Sequence, residues 1–357
     1  MEIRSRFKTY SVEFVDTLKE IETLANGKEN FFVLDREIYR LYENQLPEFD
    51  VERLFLIDAD ENKKNMNTAL TICEQMTSMP SKRNTRLISI GGGITQDITG
   101  FVAASLYRGI SWTFYPSTLL AACDSCIGGK SSLNYKGFKN LLGSFYPPDV
   151  IRIYPSFFKT LSKRDYCSGL GEVVKFNIIA GMDGLISIEQ DIDAILKHDY
   201  KKLQAYIKTS LEFKKKFIEE DEFDRGIRVL LNFAHTFGHA YEVSSNYAIP
   251  HGSAVALGMI TANAISVQRG FMEADYAERI ENVCLKILSE IEVDPVLFKM
   301  EDILAAIQKD KKQTGTDITA VLIREDYTLG VFKDVKEAEI EQAMNHMLRV
   351  MRKKDIG

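Results

Sequence analysis

The chain has 357 residues, 45% hydrophobic and 27% charged, with 22 Gly and 8 Pro, a globular profile long enough for two cores that excludes a disordered or fibrous protein. A formal net charge of -6 excludes a nucleic-acid backbone as the main partner, yet leaves room for a local basic pocket that takes a small anion. No apolar run is long enough to span a bilayer, and the opening MEIRSRFKTYSVEF has no apolar leader core, so a cytoplasmic protein with no membrane partner is expected.

In chain order, FFVLD ending at Asp35, RLFLID ending at Asp58, RLISI ending at Ile90 and SWTFYP ending at Pro116 are short β-rich runs separated by helical stretches. That alternation predicts an α/β N-terminal domain with a Rossmann-like parallel sheet. From about Arg164, apolar residues recur at three-to-four spacing through SLEFKKKFI, RVLLNFAHTFGHAYEV and AVALGMITANAISV, predicting a mainly α-helical C-terminal domain. ITAVLI and TLGVF flank the turn-like REDY and predict a hairpin near its end. The joint falls between DVIRIYP and LSKRDY, giving domains 1–160 and 161–357, and a ligand is expected in the cleft between domains.

The cysteines, Cys73, Cys123, Cys126, Cys167 and Cys284, are odd in number and scattered, unlike a disulfide framework. Cys123 and Cys126 form a CxxC, but inside a polar, Gly-rich stretch that has another explanation.

Gly91, Gly92 and Gly93 end a strand and open a helical stretch, where backbone amides can approach a pyrophosphate; a tight strand-to-helix turn would use the same residues. Between Arg108 and Gly143, the residues Asp124, Ser125, Gly128, Gly129, Lys130, Ser132, Asn134, Lys139 and Asn140 crowd together between apolar flanks. Ammonium groups beside glycine-exposed amides suit a phosphate, with Asp124 orienting a hydroxyl or a lysine.

Read as one continuous helix at about 100° per residue, Asp224, Arg228, Asn232, His235, His239 and Glu242 fall within an arc of roughly 80°. A merely exposed face would carry Lys and Glu; this one carries Arg, Asn and His, which serve binding and proton transfer. His235, His239 and His251 are candidate zinc donors. His235 and His239 have the i, i+4 spacing of a zinc-protease helix, but Thr236 stands where that helix needs its Glu base. Upstream, GLGEVVKF puts Glu172 and Lys175 on one face of an apolar helix, where a buried carboxylate and ammonium need a compensating metal or anion. Glu172 is thus a further candidate ligand.

Together GGGITQDITGFVAASLYRG, DSCIGGKSSLN, GFKNLLGSFYPP, SGLGEVVKF, LLNFAHTFGHAYE and PHGSAVALGM resemble successive blocks of the 3-dehydroquinate synthases, within the sugar phosphate cyclases. The resemblance implies zinc (with Co2+ able to substitute) on Glu172, His235 and His251, and His239 beside the metal for proton transfer and phosphate contact. It implies NAD contacts at Asp35, Asp60, Glu61, Lys64, Gly92, Gly93, Asp97, Ser117, Thr118, Lys139, Phe157 and Thr160. It implies a phosphorylated sugar acid held by Asp124, Lys130, Asn140, Lys175, Lys214, Arg228, Asn232, His239 and one of Lys311 or Lys312, with Arg108 reaching a phosphate across a homodimer interface. Lys175, His239, Asp224 and Asp124 are the implied catalytic residues.

The implied reaction converts 3-deoxy-D-arabino-heptulosonate 7-phosphate to 3-dehydroquinate and phosphate, a lyase step of the shikimate pathway towards aromatic amino acids. Transient oxidation by NAD, phosphate elimination, reduction and an intramolecular aldol closure regenerate the cofactor within one turnover. The chain departs from the family pattern at Gln96 (Gly), Ser117 and Ser131 (Thr), Asp224 (Glu) and Ser253 (Glu). Three alternatives are weighed: a cyclase of a neutral sugar phosphate, which has no carboxylate for Lys214 and Arg228; a metal-dependent polyol dehydrogenase, which does not account for DSCIGGK; and a non-enzymatic NAD-binding paralogue, which has no need of an intact ligand set.

Overall fold

The computed structural model describes residues 1–294, 297–309 and 318–354. Two compact units divide it: Met1–Leu161 with Lys215–Phe223, and Ser162–Lys214 with Asp224–Gly357.

The first unit is built on a seven-stranded sheet in the order β1-β2-β9-β6-β5-β3-β4. Its strands are β1 Glu2–Arg4, β2 Thr9–Phe14, β3 Asn30–Asp35, β4 Leu54–Ile57, β5 Arg86–Gly91, β6 Trp112–Pro116 and β9 Val150–Ile153. Every pairing is parallel except β1 with β2. The central strands are buried on both faces, as the nearly continuous apolar runs FFVL and LISI imply. Helices α1 Lys19–Asn26, α2 Arg36–Leu41, α3 Met66–Thr77 and α4 Gly93–Ser105 make the connections. The expected Rossmann-like sheet is therefore present, with β1 and β2 as an addition at one edge.

The polar stretch after Asp124 is not only a loop. Lys130–Tyr135 (β7) and Phe138–Phe145 (β8) pair antiparallel, joined by Lys136 and Gly137, both at positive φ, as a tight two-residue hairpin requires. Its polar sequence masks the alternation that would reveal strands.

The second unit is mainly helical: α5 Lys163–Ile179, α6 Met182–Leu196, α7 Tyr200–Glu220 through Lys214, α8 His235–Ser244, α9 His251–Gln268, α10 Ala274–Leu288, α11 Met300–Lys309 and α12 Glu337–Lys354. The expected hairpin is β10 Ile318–Ile323 with β11 Leu329–Val335. Among the described residues no helix is long and apolar enough to cross a membrane.

Two corrections to the expected organisation follow. Lys215–Phe223 clusters with the first unit rather than the second, because its acids cap the N-terminal strand region: Glu219 accepts from the Arg4 amide at 2.8 Å and Glu222 from the Arg6 amide at 2.8 Å. The residues 224–242 do not form one helix. Asp224 sits at φ 58, Ile227–Asn232 is a 3-10 turn, Ala234 sits at φ 68, and α8 starts only at His235. A left-handed Ala between the two segments breaks the helical register, so the polar stripe survives only from His235 through His239 to Glu242.

Candidate functional site

In the second unit, α5 and α9 approach so closely that a Cβ on Gly171 would lie 1.9 Å from the Gly252 carbonyl oxygen, and one on Gly252 1.7 Å from that of Ser168. Only glycine at both positions allows this. The contact brings Glu172, the residue after Gly171, beside His251, the residue before Gly252.

Glu172 is fully buried. Its Oε1 lies 3.3 Å from Nε2 of His235 and 3.3 Å from Nε2 of His251, and its Oε2 lies 2.5 Å from Nζ of Lys175. These contacts are at ion-pair distance, yet neither carboxylate oxygen receives a well-aligned hydrogen bond. Lys175 is buried too; its ammonium also donates to the Leu231 carbonyl at 3.2 Å and lies 4.2 Å from the centre of the Phe176 ring.

The electrostatics follow from burial and these partners. Burial alone would raise the Glu172 carboxyl, but Lys175 and the two imidazoles outweigh it and hold it well below the usual carboxylate range. Burial, with Lys175 nearby, lowers His235 to about 3. Burial acts the same way on His251, but Glu172 and Glu242 together raise it to about 10.

Glu172, His235 and His251 offer three ligand atoms within 4.8 Å of one another. One carboxylate oxygen facing two imidazole Nε2 atoms, with an open side, is a donor set suited to catalytic zinc. Lys175 balances one oxygen of the buried carboxylate, which leaves Oε1 facing the two imidazoles without a well-aligned hydrogen bond and open to a second cation. His239, one turn after His235, stacks edge-on to it at 5.2 Å and lies 5.7 Å from the His251 ring. Arg228 and Lys214 are both buried, Asn232 is half-buried, and Asp224 lies in the turn before the 3-10 segment. Lys311 and Lys312 lie outside the described residues.

In the first unit, Asp35, Asp60, Gly92, Gly93, Ser117 and Thr118, from the expected NAD set, lie at or just after the C-terminal ends of parallel strands. Gly92 caps α4, and a Cβ on Gly93 would meet nothing within 4 Å: the helix N-terminus opens onto free space, a fit for a pyrophosphate. Asp35, ending β3, accepts from the Glu37 amide at 2.9 Å, and burial raises its carboxyl. Asp60 caps a short 3-10 turn. Ser117 donates its amide to the Gly91 carbonyl at 2.8 Å, and Thr118 is the residue that a Cβ on Gly92 would strike.

Lys64, Asp97 and Asn140, expected to serve two different ligands, form one network. Lys64 Nζ lies 2.5 Å from Asp97 and donates to Asn140 at 2.6 Å; Ser132 donates its amide and hydroxyl to Asp97 at 3.1 Å each. Asn134 links it to Glu61 at 2.8 Å. Phe157 is wholly buried between Tyr42 and Tyr154, so its side chain is core, while the hydroxyl of exposed Thr160 lies 3.2 Å from Tyr42 Oη. Arg108, Lys130 and Lys139 are exposed, Arg108 at φ 66.

The departures at Gln96 and Ser131 have structural roles. Gln96 donates to the Ser125 carbonyl at 2.7 Å and accepts from the Ser125 hydroxyl at 2.7 Å, pinning the π-helical turn Ala121–Ser125 that carries Asp124. Ser131 pairs with Ser144 across the hairpin at 2.7 Å. None of the five cysteines is in a disulfide. Sequence reasoning placed Glu242 on the stripe without giving it a task; its link to His251 depends on the fold and had no local signal.

The sequence matches the family models for the 3-dehydroquinate synthase N-terminal part over residues 54–168 and C-terminal part over 169–313. A 3-dehydroquinate synthase from Dictyoglomus turgidum (strain DSM 6724 / Z-1310) is 35% identical over 306 residues, covering 85% of this chain and 84% of that one. Among solved structures, 2-epi-5-epi-valiolone synthase from Streptomyces hygroscopicus subsp. jinggangensis 5008, with NAD+ and Zn2+ bound, aligns at TM-score 0.84 and 23% identity over 97% of this chain and 98% of that one. 2-Deoxy-scyllo-inosose synthase complexed with carbaglucose-6-phosphate, NAD+ and Co2+ aligns at TM-score 0.84 and 21% identity, over 97% and 99%. The fold is thus the one shared by the sugar phosphate cyclases. Within that class, the chain belongs to the 3-dehydroquinate synthase family.

Proposed function

We propose that the protein converts 3-deoxy-D-arabino-heptulosonate 7-phosphate to 3-dehydroquinate and phosphate, as a zinc-dependent lyase that uses NAD and restores it in each turnover. The observation that carries this reading is the buried Glu172 carboxylate, which turns one oxygen towards two imidazole Nε2 atoms while Lys175 holds the other. Bound there, zinc would supply Lewis-acid stabilisation of developing oxygen charge, and NAD would supply a reversible hydride acceptor.

The chain's own residues do the rest by positioning and charge balance. Buried Arg228 and Lys214 are suited to the substrate carboxylate, which a neutral sugar phosphate does not have. His239, beside both histidine ligands, is placed to carry a proton to or from the substrate, with Asp224 as a further proton carrier. Lys175 offsets the Glu172 charge and offers an ammonium to the substrate; Asn232 orients a hydroxyl. In the first unit the Gly92–Gly93 helix N-terminus takes the cofactor pyrophosphate, and Asp124, Lys130 and Asn140 serve the sugar phosphate. We place the protein in the cytoplasm, where its free thiols stay reduced, and assign it a homodimer in which Arg108 reaches the partner's substrate phosphate.

The test is phosphate release from purified protein given this substrate, zinc and catalytic NAD, with the organic product identified by mass and NMR. Equal amounts of phosphate and 3-dehydroquinate without accumulation of NADH support the reading. No turnover with zinc and NAD both bound, or steady NADH release, overturns it.

A further inference from the structure

Both histidines of the Glu172 cluster use their second ring nitrogen. His251 Nδ1 lies 2.9 Å from Oε2 of Glu242, and His235 Nδ1 lies 3.0 Å from the Phe233 carbonyl oxygen. A carboxylate and a carbonyl accept only, so each Nδ1 donates to its partner, and each Nε2 is left as the nitrogen that a metal would take in place of a proton. Both Nε2 atoms then face the same oxygen of Glu172 at the same distance of 3.3 Å.

The two supports differ in kind. His235 stands at the start of α8, and its acceptor is a backbone carbonyl two residues away, across the left-handed turn at Ala234. His251 stands at the start of α9, behind Pro250, with no side-chain cap on that helix, and it is more exposed: 28% against 11% for the His235 side chain. Its ring orientation is set by a single side chain, Glu242, two turns along α8 from His235 and half-buried.

We propose that Glu242 is a positioning residue: by accepting from His251 Nδ1 it fixes the tautomer and ring angle that turn Nε2 towards the metal, and raises that nitrogen's donor strength. This rests on the zinc reading above. Glu242 also belongs to a second group of three potential donors, His239, Glu242 and His251. A carboxylate oxygen already accepting from one of those imidazoles is a support for the ligand, whereas Glu172 turns Oε1 towards both Nε2 atoms with no well-aligned hydrogen bond to it.

The experiment measures zinc affinity of the apo-protein by chelator competition, for wild type, Glu242→Leu and Glu242→Gln, alongside the absorption spectrum of each Co2+ form and NAD binding. Glu242→Leu should weaken zinc binding about 10- to 100-fold and shift the Co2+ spectrum, with NAD binding unchanged. Glu242→Gln, which keeps an acceptor oxygen, should recover most of the affinity. Should the Leu variant fold poorly, the Gln variant's Co2+ spectrum still reports: donor strength depends on the carboxylate, so that spectrum should differ from wild type.

Wild-type affinity and Co2+ spectra in both variants overturn the proposal while leaving the zinc site intact. A Gln variant as weak as the Leu variant also overturns it, because charge and not orientation would then matter. Complete loss of zinc in both variants, with zinc retained by Glu172→Gln, would overturn it by making Glu242 a ligand. Failure of the wild type to bind zinc is a different result and removes the underlying reading.

Discussion

The ammonium of Lys175 lies 2.5 Å from Oε2 of Glu172, one turn apart on α5, and both side chains are buried. Removing one partner of such a pair strands a charge in the interior. Lys175→Ala should therefore cost the apo-protein about 3 to 5 kcal/mol. Saturating zinc should restore part of that loss, because a second cation then faces the carboxylate; urea unfolding with and without zinc measures both. An equal loss in the two conditions would mean that the metal does not sit on Glu172.

Glu172→Gln, His235→Ala and His251→Ala should each abolish zinc retention through gel filtration, as read by elemental analysis. A tetrahedral site left with two protein ligands holds its metal weakly. Normal zinc content in all three variants would dismiss the metal assignment.

Arg228→Ala should weaken binding of the sugar acid about 10- to 100-fold, since hydrogen bonds to charged groups contribute about 1.5 to 3 kcal/mol. NAD binding should stay near wild type. Calorimetry with each ligand separates the two, and equal losses would argue against a carboxylate contact for this buried guanidinium.

Gly93→Leu distinguishes ligand binding from packing, because its Cβ would meet nothing within 4 Å. The variant should keep wild-type thermal stability yet lose about tenfold or more in NAD affinity, as the side chain fills the space at the helix N-terminus. Unchanged affinity would move the pyrophosphate elsewhere.

Arg269 ties the end of α9 to Glu339 on α12 at 2.6 Å and to Asp334 on β11 at 2.9 Å. The guanidinium holds both carboxyls below their ordinary values of 4.5 and 3.8. Depressed carboxyls stabilise the fold above those values and lose the effect as pH falls below them. Arg269→Ala should thus lower stability at pH 7, chiefly through the lost Glu339 pair, and progressively less between pH 4.5 and 3. A cost independent of pH in urea titrations would assign the loss to packing instead.

The sequence by itself determined the strands β3, β5 and β6, because a parallel strand buried on both faces reads as a short, nearly continuous apolar run. It also determined the types of residue in the candidate metal site, because carboxylate, ammonium and imidazole set in apolar helices point to a buried charged cluster. Only the tertiary structure decided which of the candidate donors meet. His239 and His235 share a helix face, but the closure at Gly171 and Gly252 is what brings His251 and Glu172 together. The break at Ala234 detaches Asp224, Arg228 and Asn232 from the stripe that helical periodicity implied. The polar hairpin β7–β8 and the tie from Glu242 to His251 were illegible for the same reason. Each depends on how two neighbouring segments turn back on one another through particular φ values, and that leaves no period in the sequence.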